Sequence, residues 1–329
     1  MIISKTPLRA SLFGGGTDFA DYYHNSRFGY GSVLSTTLDM HVYITVNKRF
    51  DDKIRVVYTG NELVDTVDEV KHNIIREALK ITGVTKGVEV VYMADIPMTN
   101  LGLGLASSSA LAVGVLNALY TFKGEYHSAR ELAYQAAHIE IDCLGQQIGI
   151  QDQFAVAFGG FRRYFFNADD TVTVIPACAD PELVRKLSER LHLFYTGTPR
   201  DSRQIFKEQK ETIKKSREET LDPLVEAVDT AMDALKKGDL DRIGTLLDET
   251  WQIKKRFASG VSNPDIDDMY DRAIRGGALG GKILGAGGGG FLLTYVPPEK
   301  LTAVREALKE YREIEFKMDA HGTRIIFAD

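Results

Sequence analysis

The residues best suited to chemistry form a glycine- and serine-rich stretch at 102–110, Gly-Leu-Gly-Leu-Ala-Ser-Ser-Ser-Ala. Small side chains there allow a ligand to approach the backbone N–H groups closely. The serines precede the apolar segment 111–116, so we expect a hydroxyl N-cap on a buried helix. Amides at a helix N-terminus favour an anion, usually a phosphate. A capped helix after a glycine turn, without a ligand, is the alternative interpretation.

Three charged side chains stand among apolar neighbours. Arg9 precedes the segment 14–18, Gly-Gly-Gly-Thr-Asp, and on its own fits a structural ion pair as well as a functional role. Asp152 lies between two glutamines in an apolar stretch, where an unpaired buried carboxylate would cost several kcal/mol. It therefore needs a partner or a function, unless it caps a helix. Glu140 lies beside the apolar stripe of a predicted helix at 128–144, where a solvated carboxylate is the simpler interpretation.

A second glycine-rich region, 276–290, suggests two motifs that fail. Residues 276–282 have the spacing of a P-loop, but Ile283 replaces the required Ser or Thr and a strand follows. The 285–290 segment formally matches a dinucleotide-binding fingerprint, but no helix follows it. Neither motif therefore assigns a function.

Hydrophobic periodicity predicts the elements that position these residues. In the first half it predicts strands at 2–8, 32–35, 41–46, 54–58 and 87–96, and helices at 68–82 and 128–144. A turn at 51–52 predicts antiparallel pairing of 41–46 with 54–58. In the second half it predicts strands at 191–196, 291–296, 313–318 and 323–327, and helices at 202–217, 223–237, 240–257, 264–276 and 298–311. The loop 176–181 predicts two domains, 1–178 and 179–329.

Composition limits the classes of function. The chain has 329 residues, a net charge of -6 and 44% hydrophobic residues, as in soluble two-domain proteins. Its basic stretches are short and mixed with glutamates, so we expect no nucleic-acid partner. Two cysteines form no disulfide framework, which favours the cytoplasm. No signal-like or membrane-spanning segment is recognisable, so we expect no membrane association.

In combination, the segments 9–18, 102–110, 149–154 and 280–290 resemble the GHMP kinase superfamily, end to end and in the family's order. The stretches 7–18, 285–291 and 321–326 are most similar to its heptose 7-phosphate kinase branch, whereas galactokinases have Glu-His where this chain has Gly15-Gly16. The resemblance implies a two-domain α+β fold. The first domain would be ribosomal-protein-like, the second ferredoxin-like, with the active site between them.

The resemblance also implies roles for individual residues. Asp152 would be the catalytic base, assisted by Arg9, and Mg²⁺ would bind Ser108 and Glu140. The ATP phosphate loop would comprise Gly102, Leu103, Gly104, Leu105, Ala106, Ser107, Ser108 and Ser109. Leu103 departs from the small residue usual at its position. The substrate would contact Gly16, Thr17, Asp18, Gly287, Gly288 and Arg200.

The function implied is ATP-dependent phosphorylation of a sugar, most simply a heptose 7-phosphate at its anomeric hydroxyl. Arg200 and Arg203 are candidates for binding the distal phosphate, or they are solvated residues at a helix start. Alternatives are a hexose kinase, a non-catalytic sugar sensor on the same fold, and an ATP-consuming decarboxylase of the mevalonate branch. A homodimer is compatible with all of them.

Overall fold

The computed structural model describes residues 1–96, 103–197, 208, 219–258 and 260–329. Gly102, Arg200 and nearly all of the predicted helix 202–217 lie outside these ranges. The described residues form two sheets with helices packed against them. Nearly all strand pairs are antiparallel, which confirms the predicted α+β class.

The first sheet has nine strands and carries the N-terminal half of the chain. Its strands are Ile2–Phe13 (β1), Tyr30–Lys48 (β2), Ile54–Val57 (β3), Asn61–Val64 (β4), Val88–Ala94 (β5), Arg162–Asn167 (β6), Val172–Pro176 (β7), Met318–Asp319 (β12) and Arg324–Ala328 (β13). The order is β13-β1-β2-β5-β3-β4, with β6 and β12 also paired to β2, and β7 to β6. At 19 residues, β2 is long enough to pair with four strands, and it includes both predicted strands 32–35 and 41–46.

The predicted pairing of 41–46 with 54–58 is wrong, because β5 lies between β2 and β3. β5 is antiparallel to β2 and parallel to β3. The loop after β2 forms backbone hydrogen bonds with Gly87, the residue just before β5, and β2 and β3 do not form a hairpin. Arg49 N donates to Gly87 O over 2.8 Å, and Gly87 N donates to Asp52 O over 3.1 Å.

The described part of the first half contains five α-helices, and the third, α3, is buried and packs against β1, β2 and all of the other helices except the first. They are Ala20–Tyr23 (α1), Asn73–Thr82 (α2), Ser107–Phe122 (α3), Ala129–Ala137 (α4) and Gln151–Phe158 (α5). A Cβ on Gly114 would lie 2.8 Å from Thr6 Oγ1, so glycine at this position allows α3 to approach β1. Ser4 Oγ donates to Gly114 O over 2.8 Å and ties the helix to the strand.

The second half contains a four-stranded antiparallel sheet in the order β11-β8-β10-β9. Its strands are Leu191–Tyr195 (β8), Gly280–Ile283 (β9), Phe291–Tyr295 (β10) and Glu313–Ile314 (β11). Its helices are Pro181–Ser188 (α6), Asp222–Lys237 (α7), Leu240–Lys254 (α8), Pro264–Gly276 (α9) and Leu301–Ala307 (α10). α8 packs on α7 and β9 and buries Trp251 completely. Within the described ranges, no helix has the length and apolarity needed to cross a membrane.

The last strands of the chain return to the first sheet, where β12 pairs with β2 and β13 pairs with β1. The residues between β12 and β13 pack closely against α5, because a Cβ on Gly322 would lie 2.0 Å from Ala157 O. Thr323 N donates to Val156 O over 3.0 Å. A single domain boundary after residue 178 therefore does not describe this tail, because residues 318–328 complete the N-terminal sheet.

Candidate active site

A bidentate ion pair between Arg9 and Asp152 forms the centre of the site. Arg9 lies on β1 and is 3% exposed, and Asp152 lies in the first turn of α5. Arg9 Nε donates to Asp152 Oδ1 over 2.8 Å, and Arg9 Nη2 donates to Oδ2 over 2.6 Å. This geometry fixes the orientation of the carboxylate. The sequence therefore identified two charges that the fold brings together from 143 positions apart.

The described part of the predicted phosphate loop, residues 103–109, forms hydrogen bonds with the same arginine. Arg9 Nη1 donates to Gly104 O over 2.5 Å, and Arg9 N donates to Leu105 O over 3.1 Å. A Cβ on Gly290 would lie 2.5 Å from Leu103 O, so the second glycine-rich segment packs directly against this loop. The two motifs are therefore neighbours in the fold.

The predicted serine N-cap of α3 is wrong. Ala106 holds the N-cap position with φ 62°, in the left-handed region, and its side chain makes no capping hydrogen bond. The three serines occupy the first helical turn instead. An alanine N-cap has no hydroxyl to compete for the first-turn amides, which have no partners within the helix. The helix N-terminus is thus suited to an anion.

Glu140 is buried rather than solvated. Residues His138–Cys143 form a π-helical turn that follows α4, and Glu140 is 1% exposed there. Its Oε2 accepts hydrogen bonds from Ser109 Oγ over 2.7 Å and from Gln153 Nε2 over 2.5 Å. Burial, with the negative charge of Asp152 nearby, raises the pKa of Glu140 to about 7. The serine that hydrogen-bonds to Glu140 is therefore Ser109. The preceding residue, Ser108, is half-buried.

The raised pKa of Glu140 predicts how the stability of the metal-free protein depends on pH. The folded carboxyl keeps its proton up to about pH 7, whereas a glutamate in the unfolded chain loses its proton near the ordinary pKa of 4.5. Stability should therefore fall as pH rises from about 4.5 to 7, by about 3 kcal/mol from this group. Urea unfolding of wild type and Glu140→Gln in a chelator measures the difference. Parallel pH profiles for the two proteins would contradict the assignment.

Asp18 lies near Asp152, lines the same cavity and is 1% exposed. Its Oδ1 accepts hydrogen bonds from Gly16 N over 3.0 Å and from Gln151 Nε2 over 2.8 Å, and its Oδ2 accepts one from Gln151 N over 3.1 Å. Burial and the nearby Asp152 carboxylate raise the pKa of Asp18 to about 6. The carboxylate is therefore held in place beside the ion pair.

A cavity of about 60 Å³ joins Arg9, Asp18 and Asp152. Ser11 and Gln151 also line it, and sequence reasoning missed both. Ser11 Oγ and Gln151 Oε1 are buried without a hydrogen-bond partner among the described residues. Buried polar atoms of this kind normally have partners, so both are suited to the hydroxyl groups of a ligand.

Two lysines of the cavity wall were also missed. Lys282, on β9, is 6% exposed, and its Nζ donates to Leu12 O over 3.0 Å. Burial and the charge of Arg9 lower the pKa of Lys282 to about 7. Lys254, the last residue of α8, is 7% exposed and contacts the carbonyls of Ile283 and Gly285. Like Asp152, Lys282 is a charge beside apolar residues in the sequence, and that signal could have identified it.

The other predicted substrate residues have different positions. Gly16 lines the cavity, whereas Thr17 Oγ1 lies 2.8 Å from Gly14 O and supports the glycine turn. Gly288 N donates to Val261 O over 2.8 Å, and a Cβ on Gly287 would meet the same carbonyl. In the glycine-rich segment 285–290, Gly285 lines the cavity. Gly102 and Arg200 lie outside the described residues.

Comparison with known proteins agrees with this architecture. Residues 67–160 match the GHMP kinases N terminal domain, and residues 231–313 match the GHMP kinases C terminal domain. A D-glycero-alpha-D-manno-heptose 7-phosphate kinase of Campylobacter jejuni is 30% identical over 94% of this chain and 93% of its own length. A galactokinase of Pyrococcus furiosus is 28% identical over 94% of this chain and 93% of its own.

A solved structure shares the whole fold. The D-glycero-D-manno-heptose 1-phosphate kinase from Bacteroides thetaiotaomicron superposes with a TM-score of 0.82, at 24% identity and over 100% of both chains. The chain belongs to the GHMP kinase family. It is an enzyme, a kinase with the two-domain fold that the family resemblance implied.

Proposed function

We propose that this kinase transfers the γ-phosphoryl group of ATP to a hydroxyl of a sugar phosphate. The preferred substrate would be D-glycero-D-manno-heptose 7-phosphate, phosphorylated at its anomeric hydroxyl to give the 1,7-bisphosphate and ADP. The observation that carries the proposal is the Arg9–Asp152 pair, which lies between the N-terminal turn of α3 and a cavity with unpartnered hydroxyl and amide groups.

Each step can be assigned to residues of the chain. The first-turn amides of α3 bind the ATP phosphates, because they offer N–H donors and the positive end of the helix dipole. Asp18, Ser11 and Gln151 bind the sugar hydroxyls and orient the acceptor. Asp152 accepts the proton of the attacking hydroxyl, while Arg9 holds the carboxylate and offsets charge on the transferring group. Phosphoryl transfer needs chiefly such positioning and charge neutralisation.

Magnesium fits the same site. Glu140 Oε1 is buried and has no hydrogen-bond partner among the described residues, so one carboxylate oxygen remains for a cation. No group of three or more His, Cys, Asp or Glu side chains in the described ranges could hold a metal alone. Mg²⁺ needs no such group, because it keeps waters and shares substrate phosphates with one or two protein oxygens. Glu140 and Ser108 are its proposed ligands, and the bound ion would neutralise phosphate charge.

Replacing either proposed ligand should raise the magnesium requirement. We expect Glu140→Gln and Ser108→Ala each to increase the Mg²⁺ concentration for half-maximal activity at least about tenfold, the lower end of what a lost supporting contact costs a metal site. Titration of activity with MgCl₂ at saturating ATP measures the shift. Glu125→Gln, which removes an exposed carboxylate paired with Lys123, is the control. A Glu140→Gln curve that overlays the wild-type curve would exclude Glu140 as a ligand.

The sugar class is supported by the relatives, which include heptose, galactose and fucose kinases. Glycines at positions 15 and 16 favour the heptose branch over galactokinases, as argued from the sequence. The retained Arg9, Asp152 and Glu140 speak against a non-catalytic sensor. A mevalonate-type decarboxylase would release CO₂, so that measurement separates it from a kinase. The roles of Arg200, Gly287 and Gly288, the cytoplasmic location and the homodimer stay predictions.

The decisive experiment follows ADP formation over a panel of acceptors with matched phosphorylated and unphosphorylated sugars. We expect turnover with heptose 7-phosphate and mass-spectrometric detection of a bisphosphate. The same panel includes galactose, fucose and mannose. Faster turnover of an unphosphorylated hexose would replace the proposed substrate with a hexose, and no sugar-dependent ADP formation would overturn the kinase proposal for sugars.

A further inference from the structure

Three consecutive side chains in the first turn of α5 contact three different parts of the site. Gln151 Nε2 donates to Asp18 Oδ1 over 2.8 Å, and Asp152 forms its ion pair with β1. Gln153 is fully buried, and its Nε2 donates to Glu140 Oε2 over 2.5 Å. Successive residues of a helix point about 100° apart, so one turn can reach partners in three directions. Gln153 is the side chain through which α5 reaches the proposed magnesium ligand.

Glu140 accepts both of its described side-chain hydrogen bonds at one oxygen. The donors are Ser109 Oγ, 2.7 Å from Oε2, and the Gln153 amide. The other oxygen, Oε1, is buried without a hydrogen-bond partner among the described residues. Two donors on one oxygen hold the carboxylate in one orientation and leave its second oxygen for another ligand. Carboxylates that bind metals are supported by hydrogen bonds in this way.

Gln153 adds a second unsatisfied oxygen to this network. Its Oε1 is buried and has no hydrogen-bond partner within the part of the chain that the structure describes. Exchanging Oε1 and Nε2 by rotating the amide would not help, because an acceptor would then face the Glu140 carboxylate. Buried acceptors normally receive a donor, and the water ligands that Mg²⁺ keeps are donors. Both oxygens are therefore suited to a hydrated cation.

The network joins two helices that the proposed reaction needs. Ser109 lies in the first turn of α3, Gln153 lies in the first turn of α5, and the Glu140 carboxylate bonds to both. The first turn of α3 is the proposed phosphate-binding turn, and Asp152 of α5 is the proposed base. A metal ligand bonded to both turns keeps a fixed position relative to each of them.

We propose that Gln153 is a positioning residue for magnesium. Its amide orients the Glu140 carboxylate so that Oε1 binds the ion. It also fixes the ion relative to Asp152, because the two side chains leave the same helical turn. The inference rests on the proposed function, in which Glu140 is a magnesium ligand. Since Gln153 acts through Glu140, its effect disappears when that carboxylate is absent.

The test measures the binding of a non-hydrolysable ATP analogue by calorimetry, without sugar and therefore without turnover. The quantity compared is the Kd of the analogue in EDTA divided by its Kd in saturating MgCl₂, which reports what the metal contributes to binding. Gln153→Met is similar in size but has no donor, and it should lower this ratio about tenfold to a hundredfold, the cost of losing a group that supports a metal ligand. Gln135→Met is the matched control, because Gln135 accepts a hydrogen bond from Tyr120 instead.

Glu140→Gln provides the second arm of the test. It should lower the ratio by itself, and in its background Gln153→Met should change the ratio by less than about twofold, because the two losses are coupled. A Gln153→Met variant that binds the analogue equally more weakly in EDTA and in MgCl₂ leaves the ratio unchanged. That result would assign Gln153 a structural role only and overturn the proposal, as would its full effect in the Glu140→Gln background.

Two further outcomes are distinguishable. An unchanged ratio in Glu140→Gln would refute Glu140 as the metal ligand, and with it the magnesium site of the proposed function. If its melting temperature shows that Gln153→Met does not fold, Gln153→Asn takes its place. The shorter amide remains polar but cannot keep its contact with Glu140, so the ratio should again fall, and an unchanged ratio would overturn the proposal.

Discussion

Asp152→Asn should lower kcat by about two to four orders of magnitude, the usual effect of losing a general base. The asparagine amide cannot accept the proton of the attacking hydroxyl. The dissociation constant of ATP should hardly change, because the phosphates are proposed to bind at α3 and not at α5. Steady-state kinetics and ATP titration by calorimetry measure the two quantities separately.

The matched control for this variant is Asp142→Asn, which neutralises an exposed carboxylate that pairs with His138. We expect that control to keep most of its kcat. If Asp152→Asn also kept most of its turnover, Asp152 would not be the base. A loss of ATP affinity as large as the loss of kcat would instead indicate a damaged fold, which the melting temperature would reveal.

Arg9→Met should reduce both stability and activity. Arg9 is buried and binds both oxygens of Asp152, whose side chain is 24% exposed. Removing the guanidinium leaves that carboxylate without its partner, at a cost of about 3 kcal/mol. It also frees the carboxylate to rotate and removes the side-chain donor to the phosphate loop, so kcat should fall about a hundredfold or more. Urea unfolding and steady-state kinetics provide both measurements.

A double-mutant cycle tests the physical cause. In Arg9→Met/Asp152→Asn the unpaired charge is gone, so the double variant should be more stable than the sum of the two single losses predicts, by at least about 1 kcal/mol. Additive losses would show that the two side chains do not interact energetically. The Arg9–Asp152 salt bridge would then make no contribution to the free energy of unfolding.

The proposed catalytic residues could be singled out in the sequence because each departs from its local pattern. Glycine-rich segments at 14–16, 102–104 and 285–290 interrupt regular structure, and Asp152 is a charge in an apolar stretch. Residues that look ordinary in the sequence were missed. Ser11, Gln151 and Lys254 become special only when β1, α5 and α8 converge on one cavity.

The errors in the fold have a similar origin. Local turn chemistry at 51–52 could not reveal that β5 enters between β2 and β3, since that position depends on residues more than 30 positions away. Serines before an apolar helix suggested an N-cap, but a left-handed Ala106 begins α3. The interpretation of Glu140 as a solvated carboxylate was wrong, because Glu140 lies in a π-helical turn and is buried there. The spacing of an α-helix does not predict such a turn.

The pairing of β1 with β13 affects how this protein is made. The strand that carries Arg9 lacks its outer neighbour until residues 324–328 have been synthesised. At roughly 5 to 20 residues per second, a ribosome needs about 15 to 65 s to reach that point. During that time the backbone groups of residues 2–5, which pair with β13 in the folded protein, have no partner strand and can pair with other chains. The N-terminal sheet of this kinase is therefore begun first but completed last, and a stalled nascent chain would expose an incomplete sheet to aggregation.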